Sequence, residues 1–329
     1  MMSLDADTIV DRRRMRRKLT FWRVLAVLVA VCAVVAAGAA LRVPGTGVLT
    51  GQPGSAIARV TLTGLIRVDQ QRVEALERLA KSSAQAVIVH INSPGGTTSG
   101  SEQLYDSLMR LKEKKPMVVV VDGLAASGGY IAAMASDRIV AQQSGIVGSI
   151  GVIFQYPNVT ELLKTIGVQV ETIKSSPLKA APSGYEPTSP EARAAVEAIV
   201  KDSFDWFKGL VRDRRHLDEA SLQKVSDGRV FTGRQAVELK LIDGLGGEQA
   251  AVDWLAKEKN IDAKTPVRDY PLSPRFGDLP FLRVAVLGLL DGIGLNGLAE
   301  RFKEWGAIQA VERLNLDGLL ALWHPPSSN

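Results

Sequence analysis

The chain has 329 residues, 46% of them hydrophobic and 23% charged, which leaves ample material for a core and excludes wholesale disorder. A single cysteine excludes an intramolecular disulfide and a multi-cysteine zinc site, and the histidines at 90, 216 and 324 show no ligand spacing. The net charge of +5 is concentrated at the start. There Arg12, Arg13, Arg14, Arg16, Arg17, Lys18 and Arg23 against Asp5, Asp7 and Asp11 give the first 23 residues +4, leaving +1 for the rest and no electrostatic support for nucleic-acid binding.

From Val24 to Leu41 run 18 residues without a charge. A helix of that length covers roughly 27 Å, close to the ~30 Å hydrocarbon core of a bilayer. The cations lie on its N-terminal side only, so the positive-inside rule puts the N-terminus in the cytoplasm and everything after Leu41 outside it. The alternative is a cleaved signal peptide, for which Ala37-Gly38-Ala39 offers an A-x-A site. The apolar run is, however, longer than the roughly 7–15 residues of such peptides. Cys32, behind Val29, Ala30 and Val31, reads as an apolar helix residue rather than a lipidation site. The expected organisation is a basic cytoplasmic segment over 1–23, a transmembrane helix over 24–41, a linker over 42–55 and a main domain over 56–265. A Pro-rich linker and an amphipathic tail follow over 266–329.

In the main domain the apolar period changes repeatedly. Residues 56–63, 86–91, 117–121 and 168–173 read as strands. Residues 70–81, with Asp69 as N-cap, and 101–112, 126–135, 191–214 and 233–239 read as helices. Continuous apolar strands alternating with helices predict an α/β fold with a parallel sheet covered on both faces. Residues 175–190 hold four prolines and form a loop. The tail from Phe281 mixes apolar and charged residues and fits a segment lying on a membrane, on a neighbouring subunit or on its own domain.

Two turns at strand ends could carry chemistry. Asn92-Ser93-Pro94-Gly95-Gly96 follows an apolar strand, and its glycines allow backbone N–H groups to point at a developing oxyanion. Asp122-Gly123-Leu124-Ala125-Ala126-Ser127-Gly128-Gly129-Tyr130 follows the next strand and sets a serine among small residues at a helix start. That serine is either a nucleophile or only an N-cap. Both turns would open on one edge of a parallel sheet, where ligands of such sheets bind. A nucleophile needs a base. His90 reads as a packed strand histidine and His216 as a solvated helix end, so a lysine, Lys174 or Lys179, is the candidate. A lysine with its ordinary pKa near ~10.4 is almost wholly protonated at neutral pH and needs burial to act as a base.

These motifs, with Val147-Gly148-Ser149-Ile150-Gly151-Val152, Ile173-Lys174-Ser175 with Lys179, and the stretch from Asp227 to Ala236, resemble the signal peptide peptidase A family of bacterial Ser–Lys peptidases. The resemblance runs from Ala56 to Leu255. It implies a crotonase/Clp-protease-like fold, with Ser127 as nucleophile and Lys179 as general base. Ser149 would hydrogen-bond the lysine amine, and the N–H groups of Gly96 and Gly128 would form the oxyanion hole. The residues after Lys179, Ala180 to Gly184, depart from the more polar stretch common in the family, so Lys174 stays a candidate. The reading implied is a bitopic inner-membrane serine endopeptidase of the single-copy form, with no cofactor. It would act outside the cytoplasm on hydrophobic peptides, chiefly remnant signal peptides. Its subunits would form a homo-oligomeric ring in which the serine of one meets the lysine of the next. The alternatives are an acyl-CoA enzyme of the crotonase type and a non-catalytic membrane scaffold.

Overall fold

The computed structural model describes residues 22–23, 56–272 and 319–322. The chain divides into two units, 1–48 and 49–329. In the first, Trp22 and Arg23 are helical and exposed. The predicted membrane span over 24–41 lies outside the described residues, as does the linker over 42–55. Among the described residues no helix is long and apolar enough to cross a membrane.

The second unit is a mixed α/β domain. Its strands are β1 (Ile57–Thr63), β2 (Ala86–Ser93), β3 (Gly95–Thr97), β4 (Met117–Ala126), β5 (Arg138–Ala141), β6 (Ile146–Gly148), β7 (Ile153–Phe154), β8 (Val230–Thr232), β9 (Gly244–Leu245), β10 (Val267–Asp269) and β11 (Leu319–Leu322). Its helices are α1 (Gln70–Ala80), α2 (Thr98–Lys112), α3 (Gly128–Ala133), α4 (Thr160–Thr165), α5 (Pro190–Arg215), α6 (Glu219–Val225), α7 (Gly233–Glu238) and α8 (Glu248–Lys259). The main sheet runs β10-β1-β2-β4-β5-β9, all parallel, as the alternating apolar runs predicted. A branch adds β6 parallel to β4 and β8 antiparallel to β6.

The period of two decides which residues face which layer. Val60, Val87, Val89, Val119 and Val121 face a core closed by Leu76 and Leu79 of α1, Leu104, Leu108 and Leu111 of α2, and Phe207 and Val211 of α5. The alternate residues, Ile57, Ile88, Val118, Val120 and Val140, face Ala251, Val252 and Leu255 of α8. Each fully buried Val, Leu or Ile contributes about 1.5–3 kcal/mol of transfer free energy, so the two central strands cannot be exposed on either side. Local signals agree: the Asp69 side chain accepts from Arg72 N–H and caps α1 as expected.

Two expectations are corrected. Residues 168–173 form no strand. Val168, Val170 and Ile173 are exposed, and no strand among the described residues pairs with them, so β-branched composition alone does not make one. The helix expected over 126–135 begins only at Gly128, because β4 continues through Ala126 to pair with β6.

A polar cluster lies on the α8 side of the sheet. Arg59 donates to Glu248 at 2.5 and 2.7 Å and to Asp269 at 2.8 Å. His90 sits between Glu248 (2.9 Å) and Asp122 (2.8 Å). The Arg59 guanidinium, and then His90, hold the Glu248 carboxyl below the usual glutamate range, against the opposing effect of its partial burial. A depressed folded-state pKa stabilises the fold above the unfolded value near ~4.3, and that stabilisation is lost as pH falls through the folded value. Glu248→Gln is therefore expected to flatten the fall in stability below about pH 4–5, as read by denaturant titrations at stepped pH. Parallel curves for the two chains would contradict it.

Candidate active site

The two expected turns meet where β2 and β4 end together. Past a β-bulge after Ile91, Ser93 pairs with Ala125. Ser93 Oγ donates to the Gly64 carbonyl at 2.7 Å and accepts from Gly95 N–H at 3.1 Å, folding the turn over the end of β1. Ile66 then bridges Gly96: Ile66 N–H donates to the Gly95 carbonyl (2.8 Å) and Thr97 N–H to the Ile66 carbonyl (2.9 Å). A Cβ at position 96 would lie 1.7 Å from the Ile66 carbonyl oxygen, so only glycine fits. Since Ile66 bonds the residues on either side of Gly96, the N–H and C=O of Gly96 itself point to the opposite edge.

Ser127 has φ 54° and ψ −118°, a conformation costing an L-residue about 1–3 kcal/mol. It is pinned on both sides. Its N–H donates to the Gly148 carbonyl at 2.7 Å, and its carbonyl accepts from Tyr130 and Ile131 N–H, each at 2.9 Å. Small buried neighbours (Ala125, Ala126, Gly128, Gly129) leave room for the turn. Ser127 stands at the N-cap position of α3, but its hydroxyl caps nothing: Oγ is buried and has no hydrogen-bond partner. The N-cap reading therefore fails. The N–H of Gly128, in the first turn of α3, has no intrahelical acceptor.

Two further motifs converge here. Gly148 (φ 103°) follows Val147 in β6, and Ser149 (φ 52°), nearly buried, donates its N–H to the Arg229 carbonyl at 2.8 Å. The pairing of β6 with β4 and β8 thus brings Gly148–Ser149 and the 227–236 stretch beside Ser127. Beyond β7 a cavity of about 810 Å³ is lined by Ser149, Ile150, Ile153, Val196, Val200 and Phe204 among others.

Lys179 is not brought to Ser127. It is exposed in a turn where its N–H donates to the Ser176 carbonyl at 3.1 Å. That turn belongs to an arm whose base is tied by Tyr156 Oη to Thr188 Oγ1 (2.7 Å) and by Val159 N–H to the Gly184 carbonyl (2.9 Å). Lys174, the other candidate, is ion-paired with Glu186. His216 is an exposed residue ending α5, and His324 lies outside the described residues. The sequence reading missed the carboxylates around His90, because Glu248 is 158 positions away, and it missed β11.

An unpaired serine hydroxyl on a strained strand-to-helix turn, beside glycine N–H groups, is the arrangement of a serine-type hydrolase. Residues 109–262 match Peptidase family S49, and residues 59–147 match Clp protease. A Synechocystis sp. protein provisionally named protease slr0021 is 37% identical over 208 residues, 63% of this chain and 75% of the relative. The provisionally named protease MJ0651 of Methanocaldococcus jannaschii is 32% identical over 257 residues, 73% and 82% of the two chains. A protein of Enterococcus faecium provisionally named signal peptide peptidase SppA is 32% identical over 200 residues, 60% and 58% of the two. The chain belongs to peptidase family S49 and is a serine-type peptidase, as its motifs implied. The acyl-CoA alternative is thereby set aside.

The contact between the two turns is testable. A Cβ at Gly129 would lie 2.7 Å from the Ser93 carbonyl oxygen and would force α3 off the Gly95–Gly96 turn. Gly129→Ala is expected to lower peptide hydrolysis by about 100-fold, the scale of an ångström-sized misplacement, with far-UV circular dichroism retained. Unimpaired turnover would show that the two turns need not touch.

Proposed function

We propose that the protein is a membrane-anchored endopeptidase for hydrophobic peptides, chiefly signal peptides left after preprotein cleavage, working through Ser127 and the Lys179 of a neighbouring subunit. The observation that carries the dyad is the mismatch between its halves. Ser127 Oγ is buried without a partner, whereas Lys179 is exposed on an arm. That arm also exposes Leu162, Ile166, Val168, Val170, Ile173 and Leu178, an apolar surface of the kind that marks a protein contact. Burial of the arm against a second copy would desolvate Lys179, which a lysine base requires. Lys174 is the weaker candidate because Glu186 already engages it.

In this reading Ser127 Oγ attacks the scissile carbonyl while Lys179 Nζ takes its proton. The N–H groups of Gly96 and Gly128 bind the oxyanion, and Ser149 positions the amine. Collapse expels the leaving amine, which takes its proton from Lys179, and water then hydrolyses the acyl-enzyme. Support for an apolar substrate comes from the cavity lined by Ile150, Ile153, Val196, Val200 and Phe204 and from the name of the Enterococcus faecium relative. Support for the anchor comes from the uncharged run at 24–41 behind its cationic flank, which under the positive-inside rule favours a domain outside the cytoplasm.

Ser127→Ala and Lys179→Ala are each expected to lower peptide hydrolysis by roughly 10⁴-fold or more, and Lys174→Ala by far less. Mixing the two dead variants and re-forming the oligomer should restore part of the activity, since some interfaces then join an intact serine to an intact lysine. Mixed oligomers that assemble and stay dead would place the dyad within one subunit. An enzymatic reporter that works only outside the cytoplasm should be active when fused after Leu41; a silent fusion would reverse the topology.

A further inference from the structure

β4 carries a bulge on its way to Ser127. Ile91 faces Val121 and Ser93 faces Ala125, so Asn92 of β2 stands against Asp122, Gly123 and Leu124 of β4. At the same place β4 changes neighbours. Its last pair with β5 is Val121 with Ala141, and its first with β6 is Leu124 with Ile146. The pairing with β6 then delivers the Gly148 carbonyl to Ser127 N–H. A bulge leaves residues outside the ladder and bends its strand, so side chains must fix it. Asp122 supplies that contact. Its carboxylate reaches back to His90, whose Nδ1 lies 2.8 and 3.1 Å from the two oxygens.

The other ring nitrogen, Nε2, lies 2.9 Å from Glu248 at the start of α8, so both nitrogens of a mostly buried ring face carboxylates. A neutral imidazole has one N–H and one lone pair, and one of these contacts would then set acceptor against acceptor. Only the imidazolium donates to both. Glu248 stays ionised, because Arg59 donates to it twice and holds its carboxyl below the usual range. The charged groups facing the ring are Asp122 from β4 and Glu248 from α8. Behind Glu248 stand Arg59 of β1 and, bonded to it, Asp269 of β10. We propose that His90 is a proton-dependent positioning residue: as imidazolium it ties Asp122 to Glu248 and so holds the bulge that aims Ser127. When pH rises and the ring gives its proton to water, one contact must yield. Glu248 keeps Arg59, whereas Asp122 is half-exposed and has no other hydrogen-bond partner among the described residues, so the bulge is what loosens. This rests on Ser127 as nucleophile but not on the assignment of Lys179.

The test compares the full chain with Asp122→Asn at stepped pH. An amide at 122 can donate to a bare Nδ1, so the neutral ring keeps its partner in this variant. Dividing one kcat by the other at each pH cancels the titration of the base that serves Ser127. Far-UV circular dichroism and thermal melting check that both chains fold. Imidazole nitrogen NMR follows the ring itself, its signal assigned by its absence from His90→Gln. The expected result is a wild-type kcat that falls about tenfold relative to Asp122→Asn over the interval in which the His90 ring loses its proton, with the KM ratio steady within about twofold. A flat kcat ratio while the ring titrates would overturn the proposal and leave the peptidase standing. A His90 ring that holds a single N–H at every pH where the chain is folded would overturn it too. If neither chain hydrolyses peptide or takes a fluorophosphonate on Ser127, the nucleophile reading fails and the inference with it.

Discussion

The hydrogen bond of 2.7 Å from Ser127 N–H to the Gly148 carbonyl is the contact on which the site depends. A serine at φ 54° and ψ −118° relaxes unless both of its peptide groups are held, and the strain of about 1–3 kcal/mol is offset by three such bonds at roughly 1 kcal/mol each. The acceptor is itself placed by others. Gly148 takes φ 103°, would bring any Cβ to 3.0 Å from the Phe231 ring and sits where β6 is paired on both sides. A stretch some hundred residues after the serine thereby sets the serine's geometry. On the opposite flank, the close approach of Gly129 to the Ser93 carbonyl couples the same turn to Gly95 and Gly96.

Much of this was legible from the chain because the physics is local. Strands buried on both faces must be apolar at every position, so the runs at 86–91 and 117–121 announced a parallel sheet. Glycines at strand ends announced sharp turns with open N–H groups, and at Gly96 the reason for glycine is the close Ile66 carbonyl. What was not legible depends on partners far along the chain. Val168, Val170 and Ile173 have strand propensity but no edge to join, and they remain exposed. His90 read as one more strand residue, since nothing near it in sequence foretells Arg59 and Glu248. Leu319–Leu322 read as part of an amphipathic tail, because strand pairing with a segment more than 200 residues earlier leaves no periodic trace.

Lys179 illustrates a different limit. Its arm is tied down at the base by Tyr156–Thr188 and Val159–Gly184. The bonds that fix the arm therefore lie away from the lysine, and they hold it out from the domain instead of folding it back over Ser127. A sequence motif can name the lysine as a candidate but carries no information on where its turn lies in space.

The small sheet of β3, β11 and β7 has a consequence for what can lie at its centre. β11 offers backbone groups to Gly96 on one side and to Ile153 on the other. A helical segment has used those groups internally, and a strand in a native sheet has at most one edge free. The central place thus suits an extended segment with both edges free, whatever its side chains. A proline opposite Gly96 would have no N–H to give in such a pairing.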